Sequence, residues 1–223
     1  MKKFLPLVLI GSGLIVLLIA VFFVAKNMKN QASPSDETET KVSVLPESEW
    51  PVVTLTPTNN PQVKGSDGHW LTLKVQKINV PGAASMDYLL VYSTSDGGQQ
   101  GVPGTVALTG ADIERKLLLG SESSGKFRYD AGVEQGIMTI TFRDTNGKSI
   151  GKLSTDFHLQ SGTMSLTSVD GKFAYTLDKV AKDVFFVTMP TFLQPDASAY
   201  VIWQNGYGVF ASDGKAHAGK VSQ

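Results

Sequence analysis

The chain has no cysteine. That absence excludes thiol nucleophiles, thiolate zinc sites, disulfide staples and acylation of a lipoprotein cysteine. It does not forbid a stable domain, because a chain of 223 residues can bury enough apolar surface without cross-links. Histidine is nearly as scarce. The three present, His69, His158 and His217, are too far apart in sequence for a histidine-rich metal motif, so neither metal nor cofactor is expected. An excess of positive charge is also missing: 20 basic residues face 20 acidic ones. No acidic residue precedes Asp36, and Lys2, Lys3, Lys26 and Lys29 stand ahead of residue 30. From residue 30 onward 16 basic and 20 acidic side chains leave a net charge of −4. A mildly acidic domain is a poor ligand for a phosphate backbone, so nucleic acid is not an expected partner.

What is present begins with Phe4 to Ala25, 22 residues interrupted only by Pro6, Gly11, Ser12 and Gly13. As a helix it spans about 33 Å, enough for a hydrocarbon core of roughly 30 Å. A cleaved signal peptide has a shorter apolar core and a small-x-small exit, whereas this run ends in Val21, Phe22, Phe23, Val24 and Ala25. The expectation is an uncleaved single-pass anchor over residues 1–27, with the N-terminus cytoplasmic and the rest extracytoplasmic at the cell membrane. Residues 28–50 are rich in Ser, Thr and Glu and hold two prolines; they read as a flexible polar linker.

From Trp50 the pattern changes to period-two alternation. Leu71, Leu73 and Val75 alternate with Thr72, Lys74 and Gln76. Met138, Ile140 and Phe142 alternate with Ile137, Thr139 and Thr141, and Leu153, Phe157 and Leu159 with Ser154, Asp156 and His158. Tyr88 to Tyr92 is apolar on both faces and reads as a central strand. Asp96-Gly97, Asn146-Gly147, Asp170-Gly171, Asn205-Gly206 and Asp213-Gly214 punctuate the runs; Asn146-Gly147 predicts a hairpin in which both residues accept positive φ. Helical patterning is short: Ala111–Lys116 and Asp178–Lys182 each predict one turn. The fold class expected is all-β: a sandwich over residues 51–161, with residues 162–223 forming a second β unit or completing the first.

The strands Asp87 to Tyr92 and Gly136 to Phe142 resemble those of immunoglobulin-like and fibronectin type III modules, over residues 66–160. Leu119 to Asp130 and Gly206 to Asp213 are similar to segments of uncharacterised membrane-anchored β proteins of candidate-phylum bacteria. In those relatives cysteines stand at the positions of Glu122 and Phe127, so a disulfide there would be absent here. The resemblance implies a shared fold and no known activity.

Motifs with chemical meaning are few. Gly120 to Lys126 matches seven positions of a P-loop, but the eighth, which must be Ser or Thr to hold magnesium, is Phe127. Ser123 and Lys126 match the Ser-x-x-Lys spacing of penicillin-binding enzymes, yet that pair needs a helix start, and Gly125 within a β context predicts a small-residue hairpin instead. Asp144 opens a sequence like the start of a calcium loop, with no glutamate at its twelfth position; it is expected to cap a turn. Asp96 and Asp130 are candidate calcium ligands between loops. The histidines read as ordinary surface or terminal residues, and no catalytic residue is named. Trp203, Tyr207 and Phe210 form the candidate partner-binding surface, since exposed aromatics stack on sugars or anchor protein partners, although alternation sends some of them into a core. The function these features point to is non-enzymatic: a tethered β-sandwich that binds or scaffolds at the cell surface, its partner another envelope protein or a cell-wall polymer. The alternatives are an accessory subunit of a secretion or pilus-like assembly, and a wall hydrolase using a carboxylate pair.

Overall fold

The computed structural model describes residues 43–222 apart from 61 and 63. The Phe4–Ala25 run and the linker as far as residue 42 lie outside the described residues. Among the described residues no helix is long and apolar enough to cross a membrane.

Alternation becomes strands almost wherever it occurs. In chain order these are β1 (Val52–Thr58), β2 (Trp70–Gln76), β3 (Ser85–Ser93), β4 (Gln99–Ala107), β5 (Ile113–Leu118), β6 (Gly120–Ser123), β7 (Lys126–Tyr129), β8 (Gln135–Arg143), β9 (Ser149–Ser161), β10 (Ser165–Thr167), β11 (Ala174–Leu177), β12 (Phe185–Pro190), β13 (Ile202–Gln204), β14 (Tyr207–Ala211) and β15 (Gly219–Ser222). Two 3-10 turns, Glu47–Glu49 and Ala197–Ala199, complete the regular structure among the described residues. Ala111–Lys116 is not helical. Ile113 and Leu117, four apart, mimic a helical stripe, but both are buried where β5 pairs with β2 along the front sheet; tertiary pairing overrides a short local preference. Asp178–Lys182 is likewise irregular rather than helical.

A large antiparallel sheet runs β13-β14-β12-β9-β8-β3-β4. The front sheet, β1-β2-β5, covers one of its faces, and the core between them is built from the anticipated residues: Leu71, Leu73 and Val75 from the front sheet meet Met138, Ile140, Phe142 and Phe157 from the large one. The back sheet, β10-β11-β15, covers the opposite face at the β12 and β14 end, around Leu166, Tyr175, Leu177, Phe186 and Val209. Residues 162–223 therefore do both things: β12, β14 and β13 extend the sheet that β3, β4, β8 and β9 begin, and β10, β11 and β15 add a third layer. Val42 to Gln223 form one unit.

The back sheet stops short of β8, β3 and β4. Their outer face carries Thr105, Asp87 and Thr141 in one row and Pro103, Leu89 and Thr139 in the next. Leu89 is 40% exposed and Ile137 47%, so β3 is flanked on both sides by strands but covered on one face only. Antiparallel sheets tolerate a solvated face, and Thr, Asp and Ser dominate this one.

The linker boundary needs correcting. Val44 makes a parallel bridge to Lys152 on β9, with Lys152 N–H donating to Ser43 O and Leu45 N–H to Lys152 O. Leu45 is 4% exposed and sits over Gly151, where a Cβ would collide with its side chain. Trp50 Nε1 donates to Leu45 O at 2.9 Å. Composition alone placed 43–50 in a linker, but Val44, Leu45 and Trp50 are enough to dock it.

Turn chemistry follows the side chains closely. Asp144 Oδ1 accepts from the N–H groups of Asn146 and Lys148, the capping role expected of it. Gly147 alone takes positive φ there, at 78°; Asn146 does not. In the β13–β14 turn both central residues do, Asn205 at 53° and Gly206 at 81°.

Candidate functional site

The strand registers sort the loops into two ends. Ser43, the β2–β3 and β4–β5 connections and the β8–β9 turn lie at one, the entry end. The β1–β2 and β3–β4 connections, the β6–β7 hairpin and the β7–β8 loop lie at the other, the loop end. Lys152, which holds the entering chain, and His158, which lines the loop end, are six residues apart on β9, about 20 Å at the rise of a strand.

Two clefts open at the loop end. One, of about 440 Å³, is lined by His69, Asp130, Glu134, His158 and Gln160 among others. The second, of about 390 Å³, is lined by Asp96, Arg128, Tyr129 and Asp130 among others. Asp130 belongs to both. His69 lines the first and Tyr129 the second, and their rings stack at 4.5 Å and 9°. This stack and Asp130 form the septum. Phe127 stacks behind Tyr129, and Trp70 meets Phe127 edge-on, so an aromatic row backs the septum along the β6–β7 hairpin.

The septum is held from below. Tyr92, 2% exposed, donates its hydroxyl to Asp130 Oδ2 at 2.9 Å. Burial and then that bond push the Tyr92 pKa well above its ordinary value. Asp130 N–H donates to Leu119 O, Ser95 N–H to Ala131 O, and Leu159 N–H to Glu134 O. Gly132 lies against Ser95 where a Cβ would collide, at φ 65°. The β7–β8 loop is thus tied to β3, β5 and β9. Tyr92→Phe leaves Asp130 Oδ2 without its donor, at a cost of about 1–3 kcal/mol; chemical denaturation should show that loss, and hydrogen exchange should accelerate at Ala131 to Glu134.

Burial lowers the His69 pKa below the ordinary histidine value despite the opposing fields of Asp130 and Asp67, so its ring is neutral at pH 7. His158 is half-buried rather than free on the surface: its Nδ1 lies 2.7 Å from Thr167 O beneath β10. A carbonyl only accepts, so Nδ1 carries the proton. His217 Nε2 pairs with Asp213 Oδ1 at 3.0 Å, near the end of the described chain and far in sequence from either cleft lining.

The three aromatics expected to form one surface are separated by the pleat. Phe210 is fully buried between the large and front sheets, and cannot touch a partner. Tyr207, three residues earlier, lies on the opposite face, stacked on Phe173 at 5.4 Å and donating to Asp170 Oδ2 at 2.6 Å. Trp203 lies opposite Gly208 and donates Nε1 to Thr191 Oγ1 at 2.9 Å. Trp203 and Tyr207 are half-buried and work as internal fasteners.

The Asp170–Tyr207 fastener has a pH signature. Burial would raise the Asp170 carboxyl, but hydrogen bonds from Ser168, Tyr207 and the Lys172 N–H outweigh it and hold the pKa at about 2. Burial and Asp170 push Tyr207 up to about 12. A depressed carboxylate stabilises the fold above its ordinary pKa of 3.8 and loses that contribution as pH falls toward 2. A raised tyrosine stabilises below its ordinary 10.0 and loses it as pH rises toward 12. In Asp170→Asn the melting temperature should fall less steeply between pH 4 and 2 than in the parent, as calorimetry across that range would show.

Ser123 and Lys126 close a β-hairpin as register partners, with Ser124 and Gly125 at φ 53° and 76° between them. No helix follows, so neither the P-loop nor the Ser-x-x-Lys geometry exists, and the small-residue hairpin stands. Asp96 Oδ1 accepts from Thr94 Oγ1 and from Gly98 N–H. Asp96 and Asp130 do line one cleft, but no group of three His, Cys, Asp or Glu able to hold a metal ion is found among the described residues. Compared with protein-family models, curated proteins and solved structures, the chain matches none.

Proposed function

We propose that the protein is a tethered, extracytoplasmic binding module: residues 4–25 anchor it in the cell membrane, and the loop end presents the recognition surface. The observation that carries this reading is the opposition of the two ends. The chain enters the domain at Ser43, beside the β8–β9 turn, while both clefts open at the far end of the strands. A domain anchored through residue 43 presents its clefts away from the attachment point, which suits capture of something outside the bilayer. The order β1-β2-β5 facing β4-β3-β8-β9 supports reading the first part as an immunoglobulin-like, fibronectin type III-like sandwich. Glu122 and Phe127 are register partners across the β6–β7 hairpin, the relation a cross-strand disulfide would need.

In-cell cross-linking tests the reading with three baits: the full-length chain, the chain with residues 4–25 replaced by an unrelated apolar helix, and the fragment from Val42. Recovery of the same wall polymer or envelope protein by all three is the expected result. If only the native anchor recovers a membrane partner, the chain is an envelope-complex subunit and the binding reading falls. Asp130 and Glu134 line one cleft, so release of soluble sugars from wall material by the full-length chain would overturn the non-enzymatic part.

A further inference from the structure

Both clefts are open, polar and firmly framed, unlike the apolar cavities that take drug-like molecules. The larger is lined by the carboxylates of Asp130 and Glu134 and, among the described residues, by no Lys or Arg. Phosphate, sulfate or uronate groups would meet uncompensated repulsion there. A simple cation binder would need acceptors alone, but the wall also carries the Gln160 amide, the Ser161 and Thr163 hydroxyls and the neutral His69 ring, and the adjoining cleft holds Arg128. Such mixed donors and acceptors beside aromatic rings match a ligand that offers hydroxyls at its rim and C–H groups on its faces. The Tyr129 hydroxyl in the septum is itself buried without a partner among the described residues, a donor that an adjacent hydroxyl or water would complete.

We infer that the paired clefts at the loop end form a binding groove for a neutral oligosaccharide, whose chain crosses the His69–Tyr129–Asp130 septum so that one sugar ring lies in each cleft. The inference rests on the binding reading above and names its ligand class. Carboxylates accept paired bonds from vicinal hydroxyls, and the stacked rings back the ring faces. Because hydrogen bonds already fix the β7–β8 loop, little ordering remains to oppose binding.

The test uses the full-length chain in a detergent without sugar groups, titrated with four probes: the β-1,4-linked tetramer of N-acetylglucosamine, cellotetraose, tetragalacturonate and tetralysine. Calorimetry and backbone amide shifts are the readouts. The expected result is saturable binding of a neutral tetramer with a Kd of roughly 10 μM to 1 mM. Shifts should cluster at Gly68–His69 and Asp130–Glu134. Glu134→Ala and His69→Ala should each weaken binding about tenfold or more, Glu134→Ala while keeping the parent melting behaviour. Ile137→Ser, on the open sheet face, should leave binding unchanged. Tetralysine or tetragalacturonate binding in place of the neutral tetramers overturns the inference, as does silence of both neutral probes at about 10 mM. If Glu134→Ala nevertheless abolishes cross-linked recovery in cells, the loop end is still the recognition surface and only the ligand class is wrong. If recovery is unaffected, both readings fall.

Discussion

Phe210→Ala should lower the unfolding free energy by about 3–5 kcal/mol, the range for truncating a fully buried aromatic. Phe210 has no exposed surface and joins the main core beside Val187 and Met189. Gly208 makes room for its ring, since a Cβ there would strike the ring edge. The surrounding backbone is paired on both sides, to β12 and β13, and has little freedom to collapse into the cavity. Chemical denaturation measures the loss. The same measurement on Tyr207→Phe should show about 1 kcal/mol, because the ring stack on Phe173 stays and only the hydroxyl bond to Asp170 goes. A reversed order, with Tyr207→Phe the costlier change, would show that β14 presents its faces the other way round.

The second large effect belongs to the entering chain. A fragment beginning at Ser48 removes the Ser43 and Leu45 contacts with Lys152 and withdraws Leu45 from the core. Leu45→Ala alone should cost about 2–4 kcal/mol by transfer and cavity terms, and the Ser48 fragment at least as much as the point variant. A fragment beginning at Val42 keeps all of these contacts and should match the full-length chain. Equal midpoints for the Val42 and Ser48 fragments in urea would show that the arm is a crossing segment with no part in the fold. The result also has a practical side, because binding experiments on a Ser48 fragment would measure a weakened domain.

Strand identity was legible wherever alternation ran for three or more positions. Leu71, Leu73 and Val75, and Met138, Ile140 and Phe142, are all buried as their spacing demands. The turns at Asp96, Asn146, Asp170, Asn205 and Asp213 were legible because Gly and Asx residues carry local conformational preferences. Three things were not legible, for different physical reasons. The docking of Leu45 depends on Gly151, more than a hundred residues away, leaving space for it. The strand at Ile113 is set by its partner β2 and not by its own spacing. Which face of β3 is covered depends on how far the back sheet extends, and alternation cannot report that: Leu89 has a core residue's chemistry and a surface position.

The candidate site was harder still. Asp130 could be singled out as a loop carboxylate, and Glu134 shares its loop, but His69 and Tyr92 come from two other elements and are joined to it by tertiary pairing alone. A Tyr on an alternating strand carries no signal that its hydroxyl will end on a loop carboxylate. Conversely, the aromatic cluster at residues 203–210 was conspicuous in sequence because its members are close in number, and period two then put them on opposite faces.

The Ser43–Leu45 arm runs parallel to β9 and meets it through two backbone bonds, one to each side of Lys152. Tension applied between the chain before Ser43 and a ligand at the loop end acts along the strand axes, so it loads both bonds together in shear instead of peeling them one after the other. Behind them stands Leu45, which must leave the core before β1 feels the pull. The arm is therefore placed to work as a mechanical clamp: it resists best a steady pull along its own direction, whereas a sideways tug on the same few residues would open it bond by bond.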